Sequence, residues 1–214
     1  MKKTINSIIL LIGLTVAPVV TGQSFVNLDF EQANVSGYSP GDSVPASDAI
    51  PGWTAYTNGA VLENITYDTG FGVAIEGTNG ITVQGYSIHL AGSKAQPAAI
   101  GQVGAIPITA QSLIFDGIFF YTGADTVSFN GQALTVQVIG QTSSYNVYGA
   151  DISAFAGQTG QLLFTDTILP SALGDRIDNI QFSSSPIPEP SASWLVLIGS
   201  GIFFYVRHNR KLPI

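Results

Sequence analysis

Carboxylates dominate the chemistry open to this chain of 214 residues. Between Ser24 and Ser185 stand thirteen acids against two bases, Lys94 and Arg176, a net of −11. A surface this acidic repels anionic partners and favours divalent cations. The whole chain carries only seven Lys and Arg, too few to neutralise many phosphates, which excludes nucleic-acid binding. Cysteine is absent. Disulfides, a thiolate zinc site, a cysteine nucleophile and a lipid-modified N-terminal cysteine are therefore excluded. His89 is the lone histidine of the region. A Ser-His-Asp triad would have to use it, and no G-x-S-x-G elbow is present. Zinc needs clustered His or Cys. No phosphate-binding loop or EF-hand spacing occurs. His89 lies in the alternating run Tyr86–Leu90 and reads as a surface or strand-edge residue.

Two further chemistries remain. A glycoside hydrolase or lyase needs two carboxyls roughly 5 to 10 Å apart across a cleft, and no spacing among the acids singles out a pair. Sugar rings stack on exposed aromatics, and Tyr38, Trp53, Tyr56, Tyr67, Phe71, Tyr86, Tyr121, Tyr145 and Tyr148 offer such rings. The same side chains also fill cores. Trp53, directly after Pro51-Gly52, reads as buried.

The elements that must position these groups are strands. Val127, Phe129, Leu134, Val136 and Val138 alternate with polar or small residues, and Asn130-Gly131 between them signals a hairpin. Ser112–Tyr121, Gln161–Thr165 and Arg176–Ser183 are further strand runs. Val61–Tyr67, Gly72–Glu76 and Gly80–Leu90 occupy the first half. Turn signals recur at Thr57-Asn58-Gly59, Thr78-Asn79-Gly80 and Gly123-Ala124-Asp125. Many short strands with glycine turns predict an all-β sandwich or barrel. Asp151 is placed to cap one helical turn through Phe155, ending at Gly157.

Both ends read as addresses rather than as parts of the fold. Lys2 and Lys3, the apolar run Ile5–Val20 and the small residues before Gln23 form a secretory signal over residues 1–22, cleaved after Gly22; the other reading is an uncleaved anchor. At the C-terminus, Pro186-Ile187-Pro188-Glu189-Pro190-Ser191 precedes an apolar stretch, with a single transmembrane helix expected over 193–206 and a basic tail over 207–211. Ser191–Val206 would give about 24 Å of helix, short of a hydrocarbon core of about 30 Å. Snorkelling of Arg207, Arg210 and Lys211, opposite Trp194, would make up the difference. The basic cluster stays cytoplasmic and the body outside. Prolines keep the Pro188-Glu189-Pro190 segment extended and accessible. A plain single-span anchor with a proline spacer is the alternative.

This tripartite end resembles the PEP-CTERM sorting signal over about the last 28 residues. Leu212-Pro213-Ile214 after the basic cluster is a small departure. The resemblance implies a bacterial protein exported through the secretion translocon. It implies anchoring in the inner membrane with the ectodomain outside, then processing near Pro188, Glu189 and Pro190 by an exosortase, an integral-membrane cysteine transpeptidase-like enzyme. Release to the cell surface or extracellular matrix follows. Such systems accompany exopolysaccharide and biofilm matrix.

The body, residues 24–185, carries its own resemblance. Phe25-Val26-Asn27-Leu28-Asp29-Phe30-Glu31 opens it, Pro51-Gly52-Trp53 follows, and Ile177-Asp178-Asn179-Ile180 closes it. These segments look like the galactose-binding-like jelly-roll sandwich of carbohydrate-binding modules. The resemblance implies that the first and last strands are neighbours. It also implies a structural calcium ion there in many relatives, with Glu31 and Asp178 at the carboxylate positions; solvated acids or acids bonded to strand ends are the alternative. Hard cations take oxygen ligands, backbone carbonyls included. The sequence therefore predicts an exported, non-enzymatic envelope or matrix protein with no catalytic residues and no required cofactor. A module binding exopolysaccharide is the second reading.

Overall fold

The computed structural model describes residues 23–69, 72–77, 85–118, 120, 125–167 and 174–187. The signal at 1–22, the Pro188-Glu189-Pro190 motif, the apolar stretch at 193–206 and Arg207, Arg210 and Lys211 lie outside them. No helix among the described residues is long and apolar enough to cross a membrane.

The protein is an all-β sandwich of two sheets. Its strands are β1 (Ser43–Pro45), β2 (Thr54–Thr57), β3 (Ala60–Leu62), β4 (Asn64–Tyr67), β5 (Gly72–Glu76), β6 (Ser87–Ala91) and β7 (Ala98–Ala105). There follow β8 (Ser112–Ile118), β9 (Thr126–Phe129), β10 (Gln132–Ala133), β11 (Val136–Gln141), β12 (Asn146–Asp151), β13 (Thr159–Asp166) and β14 (Asp175–Ser183). Among the described residues, a one-turn helix α1 (Ala46–Ala49) and a 3-10 turn at Ser153–Phe155 accompany the strands. One sheet has eight strands in the order β1-β4-β5-β6-β14-β8-β12-β11, the other six in the order β10-β9-β13-β7-β2-β3.

Alternation sets the core. On β13, Leu162, Phe164 and Asp166 point inward, while Gln161, Leu163 and Thr165 are half-buried. On β8, Leu113 and Phe115 point inward. Phe115 meets Phe164 from the other sheet edge to face, centroids 5.3 Å apart, a geometry aromatic pairs prefer. Trp53 is buried as the sequence predicts, and its ring nitrogen donates to the Asn27 carbonyl at 2.9 Å. The core cluster runs from Phe25 to Ile180, with Phe182 packed against it.

Several sequence expectations need correction. Val61–Tyr67 is not one strand: the chain breaks at Glu63, sending β3 to the six-stranded sheet and β4 to the eight-stranded one. Asn130-Gly131 does turn, at φ 50° and 76°, the left-handed pair a tight hairpin requires. Its second arm is only the two-residue β10, and Val136–Gln141 crosses to pair with β12 in the other sheet. The 3-10 turn forms where a helical turn was expected, with the Ser153 amide donating to Asp151 Oδ1 at 2.8 Å. Strands β7 and β12 and helix α1 were not anticipated. His89 is not at the surface or an edge: it is fully buried on β6, between β5 and β14.

Candidate functional site

Strand β14 joins the opening of the chain to its close. The Ile180 amide donates to the Leu28 carbonyl at 2.9 Å, and the Phe25 and Phe182 rings lie 5.1 Å apart. Asp178 is buried beside this junction, its Oδ1 accepting the Asn179 amide at 2.7 Å. Burial pushes its carboxyl up to about 7, and the charges of Glu31, Asp116 and Asp29 add to the rise against that hydrogen bond. Asp116 stands directly opposite Asp178 across the β8–β14 ladder and accepts from Asn179 Nδ2 at 3.0 Å. Glu31 is exposed and accepts the Tyr86 amide at 2.7 Å. Glu31 and Asp178 thus come within electrostatic reach of one another, with Asp116 as a third acid that the sequence did not single out. The donor set is all oxygen, which suits a hard cation such as calcium.

Two residues earlier, the same face of β14 carries Arg176. Its Nη2 donates to Glu76 Oε1 at 3.0 Å and its Nε to Oε2, a two-pronged pair. His89 Nδ1 donates to Glu76 Oε1 at 2.8 Å. Burial alone would raise the Glu76 carboxyl; the hydrogen bonds from His89 and Arg176 outweigh it and hold the group below its ordinary value. A buried charge is tolerated only when paired and hydrogen-bonded, and this one is. The arrangement ties β5, β6 and β14 together. His89 Nε2 faces Gly174, where any Cβ would collide with it.

Among the described residues, one group of three acids gathers more tightly than these. A carboxylate oxygen from each of Asp125, Asp166 and Asp175 lies within 4.8 Å of the other two, and all three residues are buried. Each takes the inward phase of an apolar strand: Asp125 before Val127 and Phe129, Asp166 after Leu162 and Phe164, Asp175 before Ile177. The β13–β9 register pairs Thr165 with Thr126, so one step on sets Asp166 opposite Asp125. Burial, then the charge and hydrogen bond of Asp125 and the charge of Asp166, raise the Asp175 carboxyl well above the usual range. The sequence reading counted these acids in the body's total but did not group them, because they are far apart in the chain. The signal that would have found them is an acid at the inward phase of an alternating strand, where a charge is costly without a partner.

The outer face of the six-stranded sheet holds an open trough of about 270 Å³. Its shape follows from β7. Ala99 and Gly101 are the outward residues at its centre, flanked by Tyr56 on β2 and by Gln161, Leu163 and Thr165 on β13. Small residues between taller neighbours sink the floor. Gln161 Nε2 donates to the Tyr56 hydroxyl at 3.2 Å, fixing the ring on one wall. Of the aromatics considered for sugar stacking, Trp53 and Tyr148 are buried, Tyr38, Tyr67, Tyr86 and Tyr145 are half-buried, and Phe71 and Tyr121 lie outside the described residues. Tyr56, also half-buried, lines the trough.

No protein-family model matches the chain, and no curated protein is significantly similar to it. Among solved structures, the enzymatically active domain of bacteriophage CBA120 tailspike protein 4 matches at 13% identity and a TM-score of 0.42, over 75% of this chain and 21% of that one. The chain thus spans about a fifth of that protein's length, and a likeness so distant carries no argument about fold or activity.

Proposed function

We propose that this is an exported, non-enzymatic protein of the bacterial envelope or extracellular matrix: a jelly-roll ectodomain over residues 24–185 between a cleaved signal and a PEP-CTERM sorting tail. The observation that supports this reading is where the core begins and ends. Among the described residues, the side chains that build it run from Phe25 to Phe182, in keeping with a folded ectodomain over residues 24–185. In this reading the tail is the substrate of an exosortase, cut near Pro188, Glu189 and Pro190, and Arg207, Arg210 and Lys211 hold the uncut chain in the inner membrane. Mass spectrometry of the extracellular form tests it. The reading expects a chain that starts at Gln23 and lacks the basic tail; an extracellular chain still ending at Ile214 would contradict processing.

The trough favours a second reading, binding of exopolysaccharide. Tyr56 supplies a ring face and Gln161 and Thr165 supply polar groups beside it, the combination that recognises a sugar ring. Because Tyr56 is half-buried on an outer face, Tyr56→Ala leaves folding within about 1 kcal/mol of the parent. Retention on a glycan array or matrix polysaccharide should drop about tenfold or more; unchanged retention would remove the trough from the account.

A further inference from the structure

We propose that Asp125, Asp166 and Asp175 form a calcium site that fastens the two sheets together at one end of the sandwich. This site is separate from the junction of Glu31 and Asp178 and does not depend on the export reading.

The geometry comes first. Asp125 and Asp166 stand on the six-stranded sheet and Asp175 on the eight-stranded sheet, so their carboxylates meet across the sandwich. Their oxygens fall within 4.8 Å of one another. Carboxyl oxygens this close together can share one calcium ion at about 2.3 to 2.6 Å from each. Asp166 and Asp175 are 2% exposed and Asp125 4%, so solvent does not screen them. The donors are carboxylate oxygens alone, the set chosen by a hard cation rather than by zinc or copper.

A second observation points to the ligand. Asp175 Oδ2 is buried without a hydrogen-bond donor. Its neighbour along β14, Arg176, is turned to the other face, where it is committed to Glu76 and to the Gly174 carbonyl. The main-chain amide of Gly92 donates to Asp166 Oδ2 at 2.8 Å and fixes that carboxyl beside the other two. A single proton shared between Asp125 and Asp175 would serve that pair alone. It would leave Asp175 Oδ2 without a hydrogen-bond donor. One divalent cation answers all three carboxylates at once. Like charges set directly opposite on a ladder destabilise a sheet, and a cation between them turns the same placement into a link between layers.

The test uses the full chain in mild detergent, calcium chloride or EDTA, calorimetric titration and thermal melting, on the parent and on Asp166→Asn, Asp175→Asn and Asp178→Asn. The asparagines keep shape and remove charge, so the first two variants stay folded without metal. The proposal expects calcium to raise the parent's melting temperature by about 5 °C or more once the ion is well above its dissociation constant. Asp166→Asn and Asp175→Asn should lose that rise and bind at this site at least about tenfold more weakly, while Asp178→Asn keeps both. Three results would overturn it. Calcium leaves the parent's melting unchanged while Asp175→Asn melts lower in EDTA, which is the shared-proton outcome. Asp178→Asn abolishes binding and Asp175→Asn does not, which moves the ion to the chain's opening and closing strands. Magnesium matches calcium at equal concentration, which removes the calcium assignment.

Discussion

The two faces of strand β14 solve the same electrostatic problem in opposite ways. Outward, Arg176 and His89 surround Glu76, and the buried carboxylate is held charged by partners the chain itself supplies. Inward, Asp175 meets Asp125 and Asp166, and burial, with the two neighbouring acids, raises the proton affinity of Asp175. One residue separates the two arrangements in sequence, and strand alternation sends them to opposite faces. In the outer cluster the chain itself supplies the counter-charge to Glu76, and His89 Nε2 is the one atom left without a hydrogen-bond partner. The inner one brings three acids together, and Asp175 keeps a carboxyl oxygen without a hydrogen-bond donor. We read the outer cluster as a structural tie and the inner one as the proposed cation site.

The largest way to break this contrast is Arg176→Met. It leaves Glu76 buried with too few partners and should cost about 3 to 5 kcal/mol, or roughly 10 °C in melting temperature, with or without calcium. A loss below about 1 kcal/mol in urea titrations would mean that the pair is incidental. Acid comes next. The folded-state pKa of Glu76 lies below its ordinary value of 4.5, so its contribution is fully present above that value and is lost as pH falls through the folded-state one. Glu76→Gln should therefore flatten the acid limb of the stability curve; an unchanged limb would place the acid sensitivity elsewhere. The smallest effect has the opposite sign. In EDTA, Asp175→Asn removes repulsion and should raise the melting temperature by about 2 to 4 °C. A fall would show that Asp175 is already compensated within the protein.

How much of this was legible in the sequence depends on what each residue reports. The all-β class followed from alternation and glycine turns, which left sandwich and barrel open, and β5, β8, β13 and β14 lie within a residue or two of the strand runs expected apart from the end of Ser112–Tyr121. Strand β7 did not stand out because five of the eight residues in Ala98–Ala105 are Ala or Gly, leaving only Ile100 and Val103 with the β-branched bulk that marks a strand. That same smallness makes the trough. His89 was misjudged because alternation tells which residues share a face, not whether the face is covered. The sheet assignments of β3, β4 and β11 depend on which strands the chain crosses to, and no local pattern encodes a crossover. Asp125, Asp166 and Asp175 are brought together by β9, β13 and β14 alone. Their phase was visible in each strand; their convergence needed the register.

The most direct measurement is a crystal structure of the protein grown in calcium chloride, with anomalous scattering used to locate the ion. The account predicts one calcium between the sheets, about 2.3 to 2.6 Å from an oxygen of each of Asp125, Asp166 and Asp175. Well-ordered carboxyls there with no metal between them, and Asp125 and Asp175 joined by a hydrogen bond, would contradict it.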